Sequence, residues 1–388
     1  MKKFLALTLA IVLVLSLAAC GSKKAASATD TPAAASESPA ASTGLKIAIV
    51  TSPSGVDDGS FNQNNYEGIK AFIANHPDAT ETPIQEKDVA NAVNAVSDIV
   101  ATYDVIVCPG FQFGGITSLA QENPTKKFIL VDSYPTDPAD STGVNTIAVD
   151  NIYAMQFAEQ ESGFFAGIAA AMETKTGKVA VVNGQAYPSN VNYQFGFEAG
   201  VKYAVAKFSA KAECVEIASY ADKDVTGKDV GGNYIGSFND PDTGKVVGKA
   251  LIDQGVDILF VAAGNSGNGV FTAAKEAKDV RVIGCDVDQY DDGKNGDSNI
   301  VLTSGLKNMA VNVERQLNAI ADGTFKGGNN LLQANTDSTG YVSADGRQQL
   351  SQKTLDTLKQ VYDLVKSGAV VPPSNFSETT VDDFVGLK

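Results

Sequence analysis

The feature that most constrains this chain is a repeated exchange between two kinds of segment. From Leu45 onward, short apolar runs rich in β-branched residues alternate with longer runs of helical period. Strands are expected at residues 47–50, 104–108, 128–131, 144–149, 179–182, 256–261 and 280–285. Short, wholly apolar runs suit parallel strands covered on both faces. Helices are expected between them, at 60–75, 89–102, 115–123, 156–172, 193–207, 241–254 and 270–278, with one more at 349–366 packed on the second half. A βαβ series of this kind winds right-handed into an α/β, doubly wound sheet. The chain is too long for one simple core, so two similar lobes are expected, with a first crossing near Asn151.

In an open parallel sheet, ligands sit beyond the carboxyl ends of the strands. The first strand is followed by Thr51-Ser52-Pro53-Ser54-Gly55-Val56-Asp57-Asp58-Gly59-Ser60-Phe61-Asn62-Gln63. Ser60 and Gln63 have the spacing of a capping box that opens a helix. Asp57, Asp58, Phe61 and Asn62 therefore stand where a small molecule would be read. A second helix is equally well marked: Asp240 suits the N-cap, Pro241 the first helical position and Gly255 the position past the end. The strand after it leads into residues 262–269, a Gly-rich stretch where backbone amides could approach a ligand or simply turn the chain.

The amino terminus reads as a leader. Lys2 and Lys3 precede an almost wholly apolar run to Leu17, too short to span a bilayer comfortably, and Ala18-Ala19-Cys20 follows. Small residues before a single Cys at the end of such a run resemble a bacterial lipobox, with cleavage before Cys20 and lipid on its thiol. A lipid tethers a protein to a membrane without spanning it. Residues 20–44 are rich in Ala, Ser, Thr and Pro and read as a disordered tether.

Charge and composition exclude several functions. A net charge of −15 argues against nucleic acid as a partner. The arginines are Arg281, Arg315 and Arg347 alone, few candidates for a bidentate clamp on phosphate or carboxylate. Beyond Cys20 stand Cys108, Cys214 and Cys285, an odd number in apolar runs, expected as buried small hydrophobes and not as a disulfide or metal set. One His, His76, leaves little for a His-based triad or zinc site. No cofactor, metal or catalytic residue is expected.

The segment Asp57-Asp58-Gly59-Ser60-Phe61-Asn62-Gln63 resembles the opening motif of the basic membrane protein family, the nucleoside-binding lipoproteins of bacterial ABC importers. The likeness continues through residues 104–111, 163–167, 196–201, 236–241 and 284–289, and ends at 303–307. It implies a type I periplasmic-binding-protein fold: two Rossmann-like lobes joined by three crossings. The implied lobes are 45–151 with 307–325, and 152–305 with 326–388. Phe61 matches the family's aromatic that stacks on one face of a purine, with Asn62 and Asp57 or Asp58 beside the base edge. Tyr193 matches the aromatic on the opposite face, where Phe is usual. Asp286 matches an acidic residue that accepts from ribose hydroxyls, and Asp288 is its nearest competitor. Lys307, taken as helical, matches a lysine that donates to the ribose and holds Asp286. Gly264 to Gly267 match a loop near the sugar, with Asn265 in place of a Gly.

The resemblance thus implies a lipid-anchored protein on the outer side of the cell membrane. It would capture guanosine, adenosine or inosine and pass the nucleoside to an ABC permease. Another flat ring compound such as riboflavin is the alternative cargo, and a sensor or adhesin role is open. A nucleoside hydrolase or phosphorylase is the competing class, and it lacks a His base, a second acidic cluster and a phosphate clamp.

Overall fold

The computed structural model describes residues 44–140, 145–375 and 377–388. The expected leader, Cys20 and the tether through residue 43 lie outside the described residues. The chain opens with β1 (Lys46–Thr51), α1 (Phe61–Asn75), β2 (Thr80–Gln85), α2 (Ala92–Ile99), β3 (Val105–Pro109), α3 (Thr117–Glu122), β4 (Lys127–Val131) and β5 (Ile152–Phe157). It continues through α4 (Glu159–Glu173), β6 (Lys178–Asn183), α5 (Pro188–Phe208), β7 (Glu213–Cys214), β8 (Asp222–Lys223), β9 (Asp229–Gly231), α6 (Pro241–Asp253), β10 (Ile258–Ala262), α7 (Gly264–Glu276) and β11 (Arg281–Asp286). It ends with β12 (Lys294–Asn295), β13 (Ser298–Asn299), β14 (Val301–Lys307), α8 (Met309–Ala321), β15 (Gly328–Leu332), β16 (Thr339–Tyr341) and α9 (Gln352–Lys366).

Two six-stranded sheets result. The first has the order β15-β5-β4-β3-β1-β2, every pairing parallel. The second has the order β16-β14-β11-β10-β6-β7, parallel except at β16. Successive side chains of a strand point to opposite faces, so an apolar run feeds two helical layers at once. Ile47 and Ile49 pack with Ile69, Phe72, Val313 and Leu317 of α1 and α8. Ala48 and Val50 join Val96 of α2 and Ile116 on the other face. In the second lobe Val179, Val181 and Phe260 meet Phe164 and Phe197, whereas Ala180, Val182 and Leu259 meet Val247, Leu251 and Val270. Leu358, Val361 and Val365 of α9 join the cluster of Phe164, as expected for the last helix, which begins at Gln352.

Helices α4 and α5 approach through glycines on both sides. A Cβ at Gly163 would lie 2.4 Å from the Tyr193 carbonyl oxygen, and one at Gly167 would lie 2.1 Å from that of Phe197. In the reverse direction, a Cβ at Gly196 or Gly200 would lie 2.2 Å from the carbonyl oxygen of Gln160 or Phe164. Two of the motifs that carried the family resemblance are thus the two halves of one helix contact. It holds the start of α4 and the start of α5 at a fixed separation beneath the cleft.

The lobe boundaries differ from expectation. Ile152–Phe157 pairs with β4, so the first lobe runs to Phe157 and not to residue 151. The returning segment extends past residue 325 to Leu332, because β15 pairs with β5. Residue 144 lies outside the described residues; of the strand expected there, Thr146 makes one isolated bridge to Thr136. The run Ile152-Tyr153-Ala154-Met155-Gln156-Phe157 merges into the apolar start of α4, so its tail reads as helix. Helix α5 begins five residues before Tyr193, at Pro188. The Gly-rich stretch after β10 is not a loop but the first turns of α7. Lys307 ends strand β14 and is not helical.

Three crossings join the lobes, and the first turn of α4 binds the other two. Ser162 Oγ donates to the Leu306 carbonyl (2.6 Å) and accepts from the Gly340 amide (3.2 Å). Glu161 Oε2 accepts from the Ala334 amide (2.7 Å) and the Thr339 hydroxyl (2.5 Å). The Asn308 amide donates to the Ser338 carbonyl (2.9 Å).

The marked helix is capped as expected: Asp240 accepts from the Thr243 amide (3.0 Å) and hydroxyl (2.6 Å), and Gly255 follows at φ +91°. These bonds hold the Asp240 carboxyl below its ordinary range. Its contribution is therefore present at neutral pH and lost as pH falls through that lowered value. Asp240→Ala is expected to lower the thermal midpoint at neutral pH and to converge on the parent in strong acid. A deficit that stayed constant with pH would place its cause elsewhere.

Candidate functional site

The strand ends of the two sheets face each other across a cavity. Asp58, Phe61, Asn62, Tyr193, Gly264, Asp286 and Lys307 all line it. Asp57 is exposed and Asn265 bonds to Asn239 Oδ1 (2.7 Å); neither belongs to the lining. Asp288 is also outside it, held by Arg347 Nε at 2.7 Å.

The cap of α1 differs from the expected box. Asp58, buried, accepts from the amides of Ser60 (3.1 Å), Asn62 (3.0 Å) and Gln63 (3.0 Å), satisfying donors that a helix start leaves free. Its carboxylate also takes Asn62 Nδ2 at 2.8 Å. Asp58 is thus spent on placing Phe61 and Asn62. Gln63 Oε1 receives the Gly59 amide at 3.1 Å, and the Ser60 hydroxyl is directed to the other lobe, onto Asp286 Oδ2 at 3.0 Å.

Lys307 forms the floor. Only 2% exposed, it pairs with Asp132 and with Glu159 Oε1 (3.1 Å). Its ammonium lies 5.1 Å from the ring centre of Phe61 and 5.9 Å from that of Tyr193, within cation–π range. Burial alone would depress the ammonium, but Asp132, Glu159 and Asp286 together raise its pKa above the usual value. Burial pushes the Asp132 carboxyl up; Lys307 opposes that shift, and Glu159 and Asp286 add to it. The lysine thus neutralises carboxylates from the first lobe and the crossing. It makes no hydrogen bond to Asp286, the partner expected for it.

Asp132 and Asp286 hold matching places, at the carboxyl ends of β4 and β11. Both are left-handed, with φ +62° and +68°. That conformation costs about 1–3 kcal/mol at a non-glycine residue, and Asp tolerates it better than most. Asp132 and Asn62 of the first lobe both line the cavity, and in each the buried Oδ1 has no protein partner.

The sequence reading missed Asp132, Glu159 and three aromatic rings, Phe111, Tyr187 and Phe238. These rings line the cavity as a chain: Phe111 to Tyr187 at 5.6 Å across the lobes, and Tyr187 to Phe238 at 5.7 Å. Applying the strand-end rule to β3, β4, β5 and β6, as it was applied to β1, would have found Phe111, Asp132, Glu159 and Tyr187. Tyr193 is 3% exposed, sets its ring edge-on to Phe260 at 5.6 Å and donates its hydroxyl to Asp286 Oδ1 at 2.8 Å. Among the described cysteines, Cys108 and Cys285 are buried, Cys214 is half-buried, and all three are free.

Residues 45–229 and 218–362 match the model of the Bmp family, described as ABC transporter substrate-binding protein PnrA-like. The chain belongs to the Bmp family. Among curated relatives of this Bmp chain, a Lactococcus lactis protein is named ABC transporter nucleoside-binding protein BmpA. It is 32% identical over 74% of this chain and 78% of its own length. A Listeria monocytogenes protein named CD4+ T-cell-stimulating antigen is 28% identical over 95% of this chain and 97% of its own. Among solved structures, an ABC transporter solute-binding protein from Aeropyrum pernix superposes with a TM-score of 0.70 at 20% identity, covering 87% of this chain and 95% of that one. The expected fold class is thereby established, and this Bmp chain is an ABC transporter substrate-binding protein.

Proposed function

We propose that the cargo is a purine nucleoside, guanosine, adenosine or inosine, taken between the lobes and passed to an ABC permease. The observation that carries this reading is the pairing of an aromatic face, Phe61, with two unpartnered buried acceptors, Asn62 Oδ1 and Asp132 Oδ1. A base has a π surface and ring or exocyclic N–H donors at its edge, and stacking on an aromatic contributes about 1–3 kcal/mol per base. Asp286 faces this group from the second lobe and suits a sugar hydroxyl. Arg281, Arg315 and Arg347 stand outside the cavity, and Lys307 is committed to carboxylates, which disfavours a phosphorylated ligand. The nucleoside-binding name of the Lactococcus relative agrees. The ligand contacts are those of Phe61, Asn62, Asp132 and Asp286, with Gly264 at the rim, Lys307 as the floor that holds Asp132, and Asp58 acting through α1. The protein works outside the cytoplasm, lipidated at Cys20 and tethered to the cell membrane.

Calorimetric titration of the ligand-stripped chain, starting after Cys20, tests the cargo. Guanosine, adenosine or inosine should bind tightly, with free ribose, guanine and the monophosphate far weaker. Phe61→Ala should weaken nucleoside binding about tenfold or more. Tight riboflavin binding with no nucleoside binding would refute the proposal, as would release of free base during a long incubation.

A further inference from the structure

Both oxygens of the Asp286 carboxylate are engaged by hydroxyls of the protein itself. Tyr193, on the same lobe, donates to Oδ1 at 2.8 Å; Ser60, from the opposite lobe, donates to Oδ2 at 3.0 Å. Asp286 is 9% exposed and Tyr193 3%, so neither bond is a surface contact that water readily replaces. Cys285 adds a weak thiol contact to Oδ1 at 3.6 Å. Lys307 gives its ion pairs to Asp132 and Glu159.

A carboxylate that reads a vicinal diol normally discriminates because an analogue lacking one hydroxyl leaves an acceptor buried and unpaired. That penalty needs a carboxylate whose acceptors depend on the ligand, and here they do not. We propose that the Tyr193 and Ser60 hydroxyls stand in for one sugar hydroxyl at Asp286, so that this protein accepts 2′-deoxynucleosides nearly as well as ribonucleosides. The inference rests on the nucleoside reading above and concerns the sugar alone. Tyr193 keeps Oδ1 satisfied in any arrangement of the lobes, because both residues belong to the second lobe. Ser60 reaches Oδ2 from the helix start that carries Phe61 and Asn62. When a ligand brings both hydroxyls, the Ser60 hydroxyl yields its place; when it brings one, Ser60 remains and no acceptor is stranded.

The test compares guanosine with 2′-deoxyguanosine, by calorimetry, on the parent chain, Tyr193→Phe, Ser60→Ala and the double variant, each checked for an unchanged fold by circular dichroism. The parent should favour guanosine by no more than about threefold. Each single variant should raise that preference, and the double variant should raise it to about tenfold or more, because an acceptor of Asp286 would then depend on the ligand. Tight binding of guanosine with a strong ribose preference already in the parent would overturn this inference and leave the nucleoside reading standing. A low preference unmoved by the double variant would also overturn it, since Asp286 would then not be reading the sugar. Binding of neither sugar form would overturn both.

Discussion

Lys307→Met is expected to destabilise the folded chain by about 3–5 kcal/mol, the usual cost of removing one partner from a buried ion pair. The lysine is 2% exposed and pairs with Asp132 and Glu159, with Asp286 close enough to help raise its pKa. Without the ammonium these carboxylates share a buried site with no compensating charge. The loss should depend on pH. Burial already raises the Asp132 carboxyl above its ordinary range, so the folded chain binds that proton more tightly than the unfolded chain does. The associated stability is present below the ordinary carboxylate range and is lost as pH rises through the raised value. Removing the lysine raises it further, so the deficit should be smaller near about pH 5 than near about pH 8. Adding Asp132→Asn should recover part of the loss by removing one uncompensated charge. Chemical denaturation at the two pH values checks this, and equal deficits would show that lost packing, not charge, is responsible.

Gly167→Val is expected to have a comparable effect through sterics alone. The first added carbon would already lie 2.1 Å from the Phe197 carbonyl oxygen and 3.0 Å from the Val201 amide nitrogen. Those are backbone atoms inside a helix and cannot turn aside as a side chain would, so α4 and α5 must separate. Overpacking a core costs typically about 1–3 kcal/mol, and the rigidity of this contact puts the substitution at the upper end. Affinity for the proposed nucleoside cargo should fall as well, because α4 begins with Glu159 and α5 carries Tyr193. Thermal unfolding and a titration on the same sample test both parts. An unchanged midpoint would mean that the helices separate at little cost.

The sequence exposed the fold where local composition and tertiary role agree. β1, β3, β4, β6, β10 and β11 are apolar because both faces are covered, and they could be read directly. β2, Thr-Glu-Thr-Pro-Ile-Gln, is an edge strand whose proline and polar residues hide it. β14 is almost fully buried yet contains Thr303, Ser304 and Gly305, which interrupt the apolar run and conceal the strand that ends at Lys307. At the site, the position of Phe61 and Asn62 was legible because a loop past a strand end is a local feature. The partners of Lys307 and Tyr193 were not. The lysine meets Asp132 from 175 residues away, and the tyrosine hydroxyl meets Asp286 across 93. Such pairings follow from sheet order, which spacing along the chain does not encode.

Because Ser162 and Glu161 clasp the second and third crossings to the start of the first, any closure of the lobes on the proposed cargo would turn about one place. In a protein that binds only when shut, apparent affinity is the intrinsic affinity scaled by the fraction of molecules already shut. Changes such as Ser162→Ala or Glu161→Gln should act on that fraction, since neither residue lines the cavity. They should shift affinity for every cargo by the same factor and leave the ranking of cargoes intact, whereas changes at Asn62 or Asp286 should reorder it. The clasp would then be a gain control, separate from the tuning, and a way to set the working range of a ligand sensor built on this scaffold.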